Sequence, residues 1–204
     1  MILAMTGSEK KSDWRERKKA ATRRTLQSHA MRLFLEKGYE ATKVEEIAAA
    51  AGVSTMTFFR YFPTKEHAAA EDDYDFLITQ LVEDCSAGEP LVRRIHAALR
   101  GGLAQVYAAD RQALLDRTRL VLMTPALQGR MWQNQAITQQ HIVQALARES
   151  DTEKDPLRIK ALVAASLAVA TTAILEWAAA PAEAELPDLI DQAFAALEAA
   201  QPQP

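Results

Sequence analysis

The stretch that most constrains this chain is residues 42–65, TKVEEIAAAAGVSTMTFFRYFPTK, which predicts two short helices joined by a tight turn. Thr42 is expected to cap the first helix, because Glu45 follows at the three-residue spacing of a capping box. Gly52 is expected to end that helix, since glycine adopts positive φ without steric cost. The stretch therefore predicts a helix–turn–helix.

The second of these helices is short and aromatic. Ser54 is expected to cap it, and Pro63 to end it by disfavouring helical backbone at the preceding residue. Phe58 and Phe62 lie one turn apart and are expected to face inward. A helix of two turns is unstable alone, so its neighbours must hold it and leave its outer face free. Hydroxyls, an arginine and a tyrosine on that face suit the major groove of DNA.

A longer run of residues carries a family resemblance. The matching positions are Leu33-Phe34, Gly38-Tyr39, Thr42, Val44, Ile47-Ala48, Ala51-Gly52-Val53-Ser54, Thr57-Phe58-Phe59, Tyr61-Phe62 and Lys65-Glu66. In these positions the chain resembles the DNA-binding domain of the tetracycline-repressor (TetR) family of bacterial regulators. Met56 departs from the small residue or proline common at that place, which affects the expected target sequence.

The resemblance implies an all-α fold of about nine helices. A three-helix DNA-binding head would occupy residues 13–64, with the helix–turn–helix at about 43–62, after a disordered tail at residues 1–12. A helical ligand-binding and dimerisation body would occupy residues 65–204.

The charge distribution agrees with a DNA-binding head. The net charge is −3. Residues 1–66 hold 13 basic and 8 acidic side chains, and residues 67–204 hold 11 and 19, so the head carries +5 and the body −8. Attraction to phosphate is thus expected at one end of the chain. Whether the basic run between Lys10 and Arg24 contacts DNA or is a solvated helix face stays open.

The resemblance assigns residues to the DNA interface by position. Thr55, Met56 and Thr57 would lie near base edges, where hydroxyls and an apolar tip can contact bases. The remaining contacts would mostly position the DNA backbone, with Arg60 also able to reach a guanine. They are Thr42, Lys43, Val44, Ser54, Phe59, Arg60, Tyr61 and Lys65.

The rest of the chain is expected to be helical throughout. Boundary signals at Asp110, Thr124-Pro125, Asp155 and Pro181 predict five helices. Their expected bounds are 91–108, 110–123, 126–149, 156–180 and 187–200. A fourth helix of the chain is expected from Lys65 to about Cys85.

The last two helices suit a four-helix dimer interface, which the resemblance also implies. The alternative is that their apolar stripes only close the protomer's own core. The expected interface residues are Leu167, Thr171, Ile190, Phe194 and Leu197.

The resemblance implies a largely apolar small-molecule pocket in the body. Each side chain, taken singly, fits an ordinary core position as well. The candidate lining residues are Tyr107, Leu120, Met123, Trp132, Ile137, His141, Leu175 and Trp177.

The sequence contains no recognisable catalytic or metal-binding motif. The four histidines are scattered, and no His-x-x-x-His, Cys-x-x-Cys, P-loop or Gly-x-Ser-x-Gly motif occurs. We therefore expect neither an enzyme nor a bound cofactor or metal. The N-terminus lacks a secretory signal, and polar residues interrupt the apolar stretch 161–180, so a cytoplasmic protein without membrane contact is expected.

The sequence thus predicts a cytoplasmic, ligand-responsive homodimeric regulator that acts as a repressor on a near-palindromic operator. The alternative is a small-molecule-binding dimeric scaffold without specific operator binding.

Overall fold

The computed structural model describes residues 7–70, 89–147, 155–181 and 183–199, with the backbone alone at residues 7–13, 15, 16 and 147. These parts of the chain contain helices and turns, and no strand. The helices are α1 (Gly7–Lys37), α2 (Val44–Ala50), α3 (Thr55–Tyr61), α4 (Lys65–Ala70), α5 (Leu91–Ala109), α6 (Arg111–Met123), α7 (Pro125–Ala147), α8 (Pro156–Ala179) and α9 (Leu186–Ala199). The predicted all-α class is confirmed.

The chain divides into two compact units, Met1–Ala70 and Glu71–Pro204. We call them the head and the body. The sequence placed this division between residues 64 and 65. The structure includes α4 in the head, where Ala68 and Ala69 are fully buried and α4 packs on α1.

The head is a small helical cluster around an apolar stripe on α1. Leu26, Ala30 and Phe34 are at most 1% exposed. Ile47 of α2 and Phe58 of α3 are fully buried and complete this core. Gly38 and Gly52 have φ of +88° and +68°, and the helix end predicted at Gly52 is confirmed.

The first helix begins at Gly7, inside the tail that was expected at residues 1–12. Residues 7–12 were expected in a disordered tail because they show no apolar period. They are helical, since extending a formed helix costs far less than starting one and Glu and Lys are good helix formers.

The body is built from α5 to α9. Residues of α5, α8 and α9 form most of its core, including Ile95, Val163, Trp177 and Phe194. Asp110 caps α6 by accepting a hydrogen bond from the Ala113 N–H at 2.9 Å. Asp155 caps α8 in the same way, through the N–H groups of Leu157 and Arg158.

The observed bounds of α5 to α9 lie within a residue or two of the predicted ones. Parts of three expectations lie outside the described residues: the tail at residues 1–6, the continuation of α4 to Cys85, and the end of α7 at residues 148–149.

Candidate nucleic-acid interface

Helix α3 presents one face outward because aromatic side chains hold the opposite face. Phe58 and Phe62 are fully buried, with ring centroids 5.7 Å apart. Phe59 packs edge-on against Phe58 at 5.6 Å, yet it remains 51% exposed. Met56 is 82% exposed, the largest value among the large apolar residues of the head whose side chains are described. A seven-residue helix is thus fixed in place with its outer face free.

The turn before α3 sets the helix direction. Gly52 adopts positive φ, and the Val53 N–H donates to the Ala48 carbonyl at 2.9 Å. The Ser54 hydroxyl accepts from the Thr57 N–H at 3.2 Å and lies 3.1 Å from the Thr57 hydroxyl. The predicted Ser54 cap is therefore confirmed. Thr55 and Thr57 are half-buried beside the exposed Met56.

The predicted Thr42 cap is wrong. Lys43 is the N-cap of α2, and the Glu46 carboxylate accepts from the Lys43 N–H at 3.1 Å. The Thr42 hydroxyl instead donates to the carbonyls of Gly38 at 2.8 Å and Leu33 at 3.2 Å. Thr42 is 1% exposed, so its side chain joins the end of α1 to α2 and is not on the surface that DNA would meet.

Lys43 remains exposed at the start of α2, while Val44 is half-buried there. Glu46 also accepts from Lys37, and this hydrogen bond, followed by the one from the Lys43 backbone, lowers the pKa of Glu46. The carboxylate stays ionised and links the two helices at their adjacent ends.

Lys65 lies at the start of α4, but its ammonium group points to protein carbonyls. It donates to the Tyr39 carbonyl at 2.9 Å and to the Thr42 carbonyl at 3.4 Å. It also lies 4.2 Å from the centroid of the Tyr39 ring. Lys65 thus holds α4 to the α1–α2 connection. A contact with a DNA phosphate would use an N–H group of the ammonium that does not already donate to these carbonyls.

Tyr39 and Glu66 form a second link at this place. The Tyr39 hydroxyl donates to the Glu66 carboxylate. Burial, followed by this hydrogen bond, raises the pKa of Tyr39. Burial also opposes ionisation of Glu66, but hydrogen bonds from Thr64 and Tyr39 outweigh it and lower the pKa of Glu66.

Basic and aromatic side chains of α1 lie opposite the C-terminal part of α3. They enclose a cleft of about 360 Å³, which we call the α1–α3 cleft. Its lining residues are Trp14, Lys18, Lys19, Thr22, Val53, Thr57, Arg60 and Tyr61. The sequence analysis did not identify Trp14 or Thr22 as site residues. For Trp14 there was a signal: it is a single tryptophan in a polar segment, and Lys18 follows four residues later.

The residues predicted to line a ligand pocket differ widely in exposure. Trp177 is fully buried, and Tyr107 packs edge-on against it at 5.6 Å. Leu120 and Leu175 are half-buried. Met123, Trp132 and Ile137 are 83%, 56% and 41% exposed, and His141 is exposed as well. The pocket assignment stays a prediction.

Three of the residues predicted for the dimer interface lie inside the protomer. Ile190 and Phe194 are fully buried and Leu167 is 7% exposed, all within the body's core. Thr171 and Leu197 are half-buried. The stripe found in the sequence is thus the inward face of α9, as the alternative interpretation held, because α9 needs that face to pack on α5 and α8.

Within the described ranges, no cluster of three or more His, Cys, Asp or Glu side chains could hold a metal ion. The second helix of the helix–turn–helix has an exposed outer face, and basic side chains lie beside it. These features define the class of helix-turn-helix DNA-binding proteins.

The comparisons with known proteins identify the family. Residues 27–70 match the family model "Bacterial regulatory proteins, tetR family", and residues 89–202 match the model "MftR C-terminal domain" of TetR proteins. The chain belongs to the TetR family of bacterial transcriptional regulators, which are typically repressors and not enzymes.

Two relatives and one solved structure illustrate the similarity. The HTH-type transcriptional regulator TcmR of Streptomyces glaucescens is 32% identical over 171 residues, covering 80% of this chain and 76% of TcmR. A protein of Mycobacterium tuberculosis named as a mycofactocin biosynthesis transcriptional regulator, MftR, is 26% identical over 164 residues, covering 79% and 82% of the two chains.

The crystal structure of Thermus thermophilus FadR, a TetR-family repressor in complex with lauroyl-CoA, superposes with a TM-score of 0.56 at 24% identity. The match covers 89% of this chain and 96% of that one, and it demonstrates a shared fold.

Proposed function

We propose that this protein is a cytoplasmic, ligand-responsive repressor that binds a near-palindromic operator as a homodimer. The observation that carries the proposal is the free outer face of α3, where Met56 is 82% exposed while Phe58 and Phe62 are fully buried behind it. The opposite face is fully committed to the core, so the outer face is available to enter a major groove.

The exposed residues divide into two roles. Met56, flanked by Thr55 and Thr57, lies at the start of α3 and is suited to base edges, where its apolar tip can contact a thymine methyl group. Lys43 and Ser54 lie at helix starts, where free N–H groups favour a phosphate. Phe59 and Tyr61 would pack against the sugar–phosphate backbone, which positions the protein without reading sequence.

The second protomer would cover the outward faces of α8 and α9. Helix α8 is apolar and long enough to cross a membrane by length and composition alone, a test that core helices of soluble proteins also pass. Only 39% of its most apolar stretch is buried in the protomer. Arg158, Lys160 and Glu176 are exposed charged residues of α8. Its other exposed residues are small or apolar, which favours association. They include Leu157, Ala161, Ala168, Thr172 and Ala179.

An effector would bind in the body and favour a protomer arrangement that no longer matches both half-sites. Trp177 is the best-supported anchor, because its ring is fully buried and its indole N–H has no hydrogen-bond partner among the described residues. An unsatisfied buried donor costs about 1–3 kcal/mol, which a ligand acceptor would recover. The coupling is allosteric only if the effector binds the two arrangements with different affinity.

A binding titration against the DNA upstream of the protein's own gene tests the proposal, with a scrambled duplex of equal length as control. A specific dimer should prefer the upstream fragment strongly at moderate salt, and Met56→Ala should reduce that preference. Equal and steeply salt-dependent binding to several candidate operators and to the scrambled duplex would indicate phosphate contact alone. It would favour the dimeric scaffold without operator specificity.

A further inference from the structure

In the body, the end of α5 and the start of α6 hold a carboxylate that the chain itself supplies. The Tyr107 hydroxyl, in the last turn of α5, donates to the carboxylate of Glu185, the residue directly before α9. Arg111, the first residue of α6, donates from Nε to the Tyr107 oxygen at 2.7 Å. A hydroxyl and a guanidinium are donors suited to a carboxylate, so we call Tyr107 and Arg111 the carboxylate site.

Glu185 is an occupant that can leave this site. Its side chain is 59% exposed, and it lies in the connection between α8 and α9 and not in a helix. The Arg111 Nε lies 3.7 Å from a Glu185 oxygen, which is too long for a hydrogen bond. Arg111 instead donates to Tyr107 and to the Pro181 carbonyl, and these bonds use two of the five N–H groups of a guanidinium. Its bond to Pro181 would keep Arg111 in place after Glu185 has left.

The carboxylate site adjoins the buried tryptophan of α8. The Trp177 ring packs edge-on against the Tyr107 ring with centroids 5.6 Å apart, and the Arg111 guanidinium carbon lies 5.7 Å from the Trp177 ring centroid. Trp177 is fully buried, and its indole N–H has no hydrogen-bond partner among the described residues. A buried donor without an acceptor is rare in folded proteins. A ligand with a carboxylate and an apolar body suits these neighbouring groups.

We propose that the effector is a largely apolar molecule that carries a carboxylate and displaces Glu185 from Tyr107 and Arg111. This inference rests on the proposed ligand-responsive function and specifies the chemical class of the effector. Glu185 acts as an internal competitor, because its tether gives its carboxylate a high effective concentration at the site. Its displacement would break a link between α5 and the start of α9, and so couple effector binding to the connection between α8 and α9.

Removing the internal competitor tests the site with a probe of known composition. In full-length Glu185→Ala, free acetate should take the place of the missing carboxylate. Thermal unfolding is measured at constant pH with increasing sodium acetate, with equal concentrations of sodium chloride, and with acetamide as the uncharged analogue. Glu183→Ala is the matched control, since Glu183 is an exposed glutamate of the same connection and is not among the hydrogen-bond or ion-pair partners of Arg111.

Acetate should stabilise Glu185→Ala beyond the effect of chloride or acetamide. At ten times its Kd it should raise the unfolding temperature by about 3–6 °C. The wild type and Glu183→Ala should respond to acetate as they respond to chloride. The acetate-specific rise should disappear in the double variant Glu185→Ala/Arg111→Gln, because the guanidinium is absent.

Three results would overturn the carboxylate site. They are no acetate-specific rise in Glu185→Ala at any concentration, an equal rise in Glu183→Ala, and a rise that persists with Arg111→Gln. The last two would place the anion elsewhere on the protein.

Operator binding tests the regulatory consequence separately. Glu185→Ala mimics the displaced state and should bind the operator at least about 5-fold more weakly than the wild type, whereas Glu183→Ala should not. Equal affinities of the two variants would contradict the coupling of this site to DNA binding. Failure of the wild type to prefer its operator would contradict the proposed function, while the acetate measurement, which needs no DNA, would still decide the carboxylate site.

Discussion

At the scale of single residues, the main finding is that polar side chains near the expected interface also build the head. Thr42 is buried and bonds two carbonyls at the end of α1, and Lys65 bonds two carbonyls of the α1–α2 connection. Position in a family motif thus does not separate a DNA contact from a structural one. Burial and hydrogen-bond partners do.

Thr42→Val should destabilise the protein without changing the surface of α3. The substitution keeps the shape but leaves a buried carbonyl without its donor, at a cost of about 1–2 kcal/mol in the free energy of unfolding. Thr25→Val is the matched control, since the Thr25 hydroxyl also bonds a carbonyl but is exposed; its effect should stay within about 0.5 kcal/mol. Urea unfolding measures both, and equal effects would contradict the structural role of Thr42.

Glu66 should make the head sensitive to acid. Its pKa is lower in the folded than in the unfolded protein, because its hydrogen bonds outweigh burial. The ionised carboxylate therefore adds stability above its unfolded pKa, and this contribution is lost as the pH falls through the folded pKa.

Glu66→Gln should be less stable than the wild type at neutral pH, and the two stabilities should converge below about pH 4. Urea unfolding across a pH series measures this. Glu45→Gln, an exposed site on α2, is the control and should follow the wild-type curve. A Glu66→Gln curve parallel to the wild type would show that the hydrogen-bonded carboxylate does not drive acid destabilisation.

At the scale of elements, backbone conformation at glycine decides how the helices of the head meet. Gly52 lies between α2 and α3 with φ of +68°, and the turn it makes directs α3. Sequence predicted this glycine as a helix end, and the structure confirms it. By contrast, Gly129 lies within α7.

The same substitution at the two glycines should have opposite effects. A Cβ would meet nothing within 4 Å at either position, so packing does not distinguish them. Gly52→Ala should destabilise by about 1–2 kcal/mol, the cost of left-handed backbone for a residue with a Cβ. Gly129→Ala should stabilise by about 0.5–1 kcal/mol, because alanine is the better helix former. Thermal unfolding measures both, and effects of the same sign would contradict this assignment.

At the scale of the whole molecule, the single protomer leaves several small residues of α8 exposed, beside the exposed Glu176. The stripe of α9 that sequence favoured as an interface packs into the protomer's own core. A partner would therefore meet small residues, which allow helices to approach closely. Ala168 is one of these exposed residues.

Ala168→Glu should convert the proposed dimer to a monomer, since it places a charge in a closely packed apolar contact. Ala136→Glu introduces the same change at an exposed alanine of α7 and should leave the dimer intact. Sedimentation velocity measures the oligomeric state, and operator affinity should fall only with Ala168→Glu. Dimers in both variants would place the interface elsewhere.

The sequence by itself determined the helical class, the family and most helix ends, because caps, glycines, prolines and apolar periodicity act within a few residues of one another. Such local signals include Ser54 and Asp155, which cap their helices as predicted, and Gly52, which ends α2 as predicted. Only the tertiary structure decided which face of α9 is inward, that Thr42 is buried, and that Lys18 and Lys19 lie opposite Arg60. These depend on which elements cover one another, and distant parts of the chain supply those contacts.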